Sequence, residues 1–96
     1  MRRDDTIRFL REHQDVIRAF GVSSLSLFGS VARDEARDDS DVDILVEFAN
    51  DPTYDEYCSL RFWLEDSLDA KVDLVLSSGL RDRARPYVES DAIRVA

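Results

Sequence analysis

The segment Asp41–Phe48, with the sequence DVDILVEF, constrains the fold more than any other part of the chain. Successive side chains of a strand project to opposite faces, so Asp41 and Asp43 would share one face. β-branched residues favour strands, and an apolar strand face needs a covering layer. The apolar face would carry Val42, Ile44, Val46 and Phe48. The segment therefore predicts a sheet that is covered on one side and leaves the two acids on the other.

Two further stretches supply helices for that covering layer. Apolar residues recur with helical spacing from about Asp4 to about Phe20, where Gly21 provides a stop. His13 lies near the centre of this apolar face, so packing is its expected role. A second helix is predicted over Tyr54–Leu68. Its inner stripe would be Tyr57, Leu60, Leu64 and Leu68, with Phe62 and Trp63 pointing away from the stripe.

The remaining segments complete an alternating pattern of helices and strands. Leu25–Phe28 and Val72–Leu76 are predicted strands, and Val31–Ala36 is a predicted short helix. The tail after Gly79 is expected to be helical, with a break or restart near Pro86. The order α-β-α-β-α-β-α predicts an α/β (α+β) fold, in which helices pack on one face of a small mixed β-sheet.

Length and charge limit what the chain can do. A chain of 96 residues suits one domain over residues 1–96. The net charge of −8 disfavours direct nucleic-acid binding and suits a basic protein or a nucleotide carried by a cation. Lys71 is the single lysine, which excludes the lysine-dependent phosphate loop of P-loop proteins. One cysteine and no apolar run of roughly 20 residues predict a cytoplasmic protein without a membrane segment.

The acids of the central strand are candidate metal ligands. Asp41 and Asp43 would repel one another unless a cation lay between them, and Mg²⁺ prefers such oxygen ligands. Asp73 repeats the pattern within KVDLVL, so adjacent strands in a suitable register would bring three carboxylates together. That grouping suits phosphoryl or nucleotidyl transfer assisted by two metal ions. Taken singly, each acid is more often a solvated residue at a strand end than a functional group. An EF-hand is excluded because Ile44 and Asn50 replace its required Gly and Glu.

The residues after the first strand are candidate phosphate ligands. Gly29 would let the backbone turn sharply and approach a ligand closely. The Ser30 hydroxyl and neighbouring N–H groups could then hold a triphosphate. Arg33, one helical turn further on, could add a two-pronged contact, although a solvated surface arginine is an equal alternative.

Together these motifs resemble a known signature. LFGSVAR, over residues 27–33, followed by SDVDILV, over residues 40–46, is similar to that of the DNA polymerase β-type nucleotidyltransferases. Ten residues separate Ser30 from Asp41, the spacing typical of that superfamily. The chain most resembles the minimal nucleotidyltransferases (MNT), and DPTYDEY and VDLV extend the likeness. The family often has Gly where this chain has Asp34, a residue that also tolerates the left-handed conformation.

The resemblance implies a polymerase β-like palm and a set of site residues. Asp41, Asp43 and Asp73 would hold two Mg²⁺ ions, with Asp73 also acting as general base. ATP would be the substrate. The nucleotide would be bound by Gly29, Ser30, Arg33 and Ser40.

The resemblance also implies a partner. MNT proteins resemble antitoxins that transfer AMP to a tyrosine of a HEPN ribonuclease toxin, and Phe62 and Trp63 are candidate contacts with it. Their burial under the C-terminal segment is the alternative. A small-molecule nucleotidyltransferase and an antitoxin that acts by binding alone also remain open, as does homo-oligomer formation.

Overall fold

A four-stranded sheet forms the centre of the molecule, in the order β3-β2-β1-β4. The computed structural model describes residues 3–33, 41–77 and 92–96. The helices are α1 (Arg3–Glu12), α2 (Gln14–Ala19), α3 (Gly29–Ala32) and α4 (Tyr54–Leu68). The strands are β1 (Val22–Phe28), β2 (Val42–Phe48), β3 (Val72–Leu76) and β4 (Ile93–Arg94). None of the helices in these residues is both long and apolar enough to span a membrane.

The sheet is mixed, as the sequence predicts. β2 pairs with β1 in the antiparallel sense and with β3 in the parallel sense. The apolar face of β2 is buried, with Val42 2% exposed and Ile44 and Val46 fully covered. The inner stripe of α4 joins the same core through Leu60, Leu64 and Leu68, while Tyr57 is half-buried. The predicted α/β fold is therefore confirmed, and helix 54–68 and strand 72–76 have the predicted bounds.

The prediction that the tail is helical is wrong for the last residues of the chain, where β4 pairs with β1 in the antiparallel sense. The pairing continues beyond the strand, because Val95 N donates to Leu25 O at 2.9 Å. Two strand residues give too short an alternation to be recognised in a sequence, and their partner strand supplies the hydrogen bonds. Residues 78–91, including the predicted break near Pro86, lie outside the described residues.

The predicted N-terminal helix is two helices, separated at His13. His13 has φ −109° and ψ 23°, outside the helical region, and its Nδ1 lies 2.8 Å from Phe9 O. Its ring stacks on the Phe9 ring with the centroids 4.2 Å apart, so the predicted packing role is confirmed. Ile17 is buried but Val16 is 40% exposed, which contradicts the prediction of a single apolar face.

The α4 helix begins with a complete capping box. Glu56 N donates to Thr53 Oγ1 at 3.1 Å, and Thr53 N donates to Glu56 Oε1 at 3.0 Å. These reciprocal bonds satisfy backbone donors that a helix start would leave free, and they lower the pKa of Glu56. The helix ends at Asp69, which has the left-handed conformation with φ 49°. The capping box and the left-handed residue therefore define the two ends of α4 and the point at which the connection to β3 begins.

Candidate active site

The acids predicted from the sequence form an acidic row, in which Asp43 and Asp73 are neighbours across β2 and β3 and Asp41 precedes Asp43 along the chain. Asp43 is opposite Phe28 of β1 and, on its other side, is in register with Asp73 of β3. Asp41 lies just before β2, on the same face as Asp43. Asp41 and Asp73 are exposed, whereas Asp43 is half-buried. The register therefore brings Asp43 and Asp73 together, as the sequence required for a shared site.

Asp43 is the electrostatic centre of this acidic row. Burial raises its pKa, and the charges of Asp73 and then Asp41 raise it further. The Arg33 guanidinium opposes these effects, which places Arg33 within electrostatic range of the row. Crowded carboxylates of this kind are relieved by protonation or by a cation.

Gly29 lies directly against Asp43. It has φ +74°, a conformation that glycine adopts without cost. A Cβ at this position would overlap Asp43 Oδ2 and lie 2.9 Å from Cγ. The site therefore needs glycine both for the turn and for the close approach. The turn leads into α3, where Ser30 is half-buried and buried Val31 anchors the helix to the core.

Most of the predicted site residues are in the described part of the chain. Gly29, Ser30 and Arg33 follow β1, and Arg33 N donates to Gly29 O at 3.1 Å. The short helix begins two residues earlier than predicted and covers Gly29–Ala32. Ser40 and Asp34 lie outside the described residues.

The donors of the row fit Mg²⁺ in chemical type, because all are carboxylate oxygens. A bound cation would stabilise the ionised form of Asp43, which burial and the charges of Asp73 and Asp41 disfavour by raising its pKa. Among residues 3–33, 41–77 and 92–96, no three acids, histidines or cysteines are gathered closely enough to enclose one metal ion.

Two α4 side chains hold the outer edge of β3 in place. The Tyr57 hydroxyl donates to Leu74 O, and Glu65 Oε2 accepts from Val72 N at 3.1 Å. Burial raises the pKa of Tyr57; the charge of Arg61 lowers it and that of Asp73 raises it. Sequence reasoning treated Tyr57 as core alone and missed Glu65, since the helical pattern gives no signal for a bond to a strand edge.

A separate cavity of 330 Å³ lies at the far ends of β2 and β3. It is lined by Val46, Glu47, Phe48, Asn50, Asp51, Pro52, Leu76 and Ser77. Asp43 and Asp73 lie near the beginnings of these strands, so the cavity is not part of the acidic row.

Comparison with known proteins defines the class. A model of the nucleotidyltransferase domain family matches residues 8–95. The protein adenylyltransferase MntA of Thermococcus cleftensis is 44% identical over 87 residues, covering 90% of this chain and 88% of that protein. The chain therefore belongs to the nucleotidyltransferase domain family and is an enzyme of that class.

Solved structures agree with this assignment. A structure described as a "putative minimal nucleotidyltransferase" has a TM-score of 0.84 and 39% identity, covering 97% of this chain and 95% of its own. A tri-AMPylated Shewanella oneidensis HEPN toxin in complex with MNT antitoxin includes a chain with a TM-score of 0.69 and 20% identity. That match covers 94% of this chain and 71% of the other and, at this identity, shows the fold alone.

The contact between Gly29 and Asp43 can be tested with Gly29→Ala. Gly21 is the matched control, because its φ is +89° and, among the described residues, a Cβ added to it would meet only Phe48 Cδ1, at 4.0 Å. We expect Gly21→Ala to lower the free energy of unfolding by about 1–2 kcal/mol, because alanine is strained in this left-handed conformation. Gly29→Ala should cost about 1 kcal/mol more through overlap with the carboxylate. Urea denaturation measures both. The extra cost should shrink when Asp43 is also replaced by Ala; equal costs for the two glycines would contradict the contact.

The crowding of Asp43 predicts a dependence of stability on pH. Because its pKa in the folded state is raised above 3.8, the folded protein binds this proton more tightly than the unfolded chain. Stability from this group therefore falls as pH rises from 3.8 through the raised pKa. We expect Asp43→Asn to stabilise the metal-free protein at pH 7, with the gain vanishing in acid. Urea denaturation at a series of pH values measures this, with neutral Ser30→Ala as control. A gain that persists below pH 3.8 would refute the crowding.

Proposed function

We propose that this protein transfers AMP from ATP to a tyrosine hydroxyl of a partner HEPN ribonuclease toxin, and so acts as its antitoxin. The observation that carries the proposal is the register of β2 with β3, which aligns Asp43 with Asp73 beside the Gly29 turn. This arrangement provides paired carboxylates, an open face of the sheet on which they lie, and a backbone turn at Gly29 that lies close to Asp43. Nucleotidyl transfer needs these three features together.

Each residue of the site has a role in the proposal. Asp41, Asp43 and Asp73 would hold two Mg²⁺ ions, which neutralise phosphate charge when bound. The Gly29 turn would leave room for the triphosphate, with the Ser30 hydroxyl and the Arg33 guanidinium contacting it. Ser40 is assigned to the same nucleotide site by the family resemblance.

The proposed reaction is a single displacement at phosphorus. The tyrosine oxygen bonds to the α-phosphorus of ATP, the bond to the β-phosphate bridging oxygen breaks, and pyrophosphate leaves. The tyrosine proton passes to Asp73, whose exposure on the row leaves it accessible to an acceptor. A base in this role contributes about 10²–10⁴-fold to rate.

Three observations support a toxin as the acceptor. The relative from Thermococcus cleftensis is named a protein adenylyltransferase. The Shewanella oneidensis complex pairs an MNT antitoxin with an AMPylated HEPN toxin. The net charge of −8 also suits a ribonuclease with a basic face better than it suits nucleic acid. ATP and the toxin's RNA target are both cytoplasmic, so the proposal includes a cytoplasmic reaction.

Neutralisation by binding alone is a second candidate, favoured by the same negative charge. Salt weakens electrostatic masking, whereas a covalent AMP remains on the toxin after the two proteins are separated. The two mechanisms can therefore be distinguished on isolated toxin.

We predict that Asp41→Asn abolishes AMP transfer, because it removes one carboxylate from the row. Wild-type protein, ATP, Mg²⁺ and a candidate HEPN toxin are mixed, and the toxin is recovered under denaturing conditions. Intact-mass spectrometry should show added AMP with the wild type and none with Asp41→Asn. Asp15→Asn is the matched control and should behave as wild type, since Asp15 is exposed on α2.

Two results would count against the proposal. Toxin that gains no AMP from the wild-type protein would exclude it as the acceptor, and an aminoglycoside could then be tested in its place. Protection of cells by Asp41→Asn at normal expression would establish neutralisation by binding.

A further inference from the structure

We infer that a groove at the carboxyl end of α4 docks a basic segment of the protein that receives AMP. This inference rests on the proposed function. The α4 groove has a volume of 660 Å³ and is lined by Phe62, Trp63, Glu65, Asp66 and Asp69. It is separate from the acidic row, and the proposed chemistry assigns no role to it, but it contains Phe62 and Trp63, which the sequence marks as candidate contacts with a partner.

The two aromatic residues of the α4 groove differ in their surroundings. The Phe62 side chain is 64% exposed, a large apolar surface for a residue on a helix. Trp63 is half-buried, and its ring lies 6.0 Å from that of Phe9, 6.1 Å from that of His13 and 5.9 Å from that of Phe20. The sequence placed both residues off the inner stripe of α4 and left their burial open; Trp63 packs against these rings, whereas Phe62 is exposed. The groove combines a fixed aromatic wall with an exposed ring, and exposed aromatics anchor protein interfaces.

The charges of the α4 groove select the kind of partner. Among the described residues, the lining contains three acids and no basic residue. Glu65 is already engaged by Arg61 Nε at 3.4 Å and by Val72 N, whereas Asp66 and Asp69 are exposed. Phosphate groups would be repelled, so nucleic acid does not fit. A second copy of the chain carries the same net charge of −8 and is also disfavoured. A protein segment with Arg or Lys fits both the charge and the exposed ring.

The position of the α4 groove connects it to the reaction. Asp69 precedes Asp73 by four residues, through the turn that joins α4 to β3. Glu65 spans the same connection, because it lines the groove and accepts from the backbone of β3 at Val72. A protein seated in the groove therefore lies at the end of the sheet that carries Asp73. Docking there would hold the acceptor hydroxyl near the acidic row.

The chain offers matched controls for the test on the same helix. Phe62→Ala is compared with Tyr54→Ala, because Tyr54 is 80% exposed but lies at the opposite end of α4. Asp66→Asn is compared with Asp55→Asn, since Asp55 is exposed in the first turn. KM and kcat for AMP transfer to the HEPN toxin of the mass-spectrometry test are measured, together with its Kd by calorimetry. Thermal melting of each variant checks that the fold is intact.

We expect Phe62→Ala to raise KM and Kd about tenfold or more while kcat stays unchanged, as for loss of an interface anchor. Asp66→Asn should weaken binding less, and its effect should shrink at high salt. Tyr54→Ala and Asp55→Asn should match the wild type. If the groove variants bind like their controls, the inference is wrong even where AMP transfer proceeds.

Two other outcomes distinguish failure of the proposed function from failure of the docking inference. Absence of transfer by wild-type protein overturns the proposed function, while the Kd values still decide whether the α4 groove binds the toxin. Light scattering compares the oligomeric mass of the isolated Phe62→Ala protein with that of the wild type. If this mass changes while KM does not, the groove is a contact between copies of the chain. That result overturns the inference.

Discussion

The pairing of β2 with strands on both sides is the interaction on which the rest of the structure depends. Burial of Val42, Ile44 and Val46 fixes which face of β2 meets the helices. A shift of one residue would bring acids into the core and turn apolar side chains outward, so hydrophobic burial sets the register. The same register aligns Asp43 with Asp73 and brings Gly29 against Asp43. The energy that stabilises the core therefore also determines the geometry of the acidic row.

The α4 helix extends this arrangement beyond the sheet. Its apolar stripe contributes to the core, while Tyr57 and Glu65 occupy hydrogen-bonding groups on the outer edge of β3. An unprotected edge strand is free to pair with other chains or to shift, so these bonds help to hold Asp73 beside Asp43. One helix thus supports the core, the position of a site residue and, in our proposal, the surface on which the acceptor docks. A substitution in α4 can therefore affect transfer without contacting the nucleotide.

The sequence predicted the parts of the fold that local patterns determine. Alternation in DVDILVEF gave the central strand, and helical spacing gave α4 at its observed bounds. From the sequence, Asp73 could be placed beside Asp43 only on the condition that their strands are adjacent and in a suitable register. That register depends on contacts between segments that are distant in the chain. The break at His13 and the strand at Ile93 were missed, because tertiary packing determines both of them. The catalytic roles of the acids rest on chemistry and family resemblance, and they remain predictions.

The central claim is that the Gly29 turn and the aligned acids form one metal–nucleotide site. It is tested most directly by paramagnetic broadening of amide signals in ¹⁵N-labelled protein, with substoichiometric Mn²⁺ and a non-hydrolysable ATP analogue. Bound Mn²⁺ broadens the signals of nearby nuclei most strongly. The account predicts that the signals of Gly29, Asp43 and Asp73 broaden first, while that of Tyr54 stays sharp. Equal broadening across exposed acids, or selective broadening around Asp51 in the separate cavity, would contradict it.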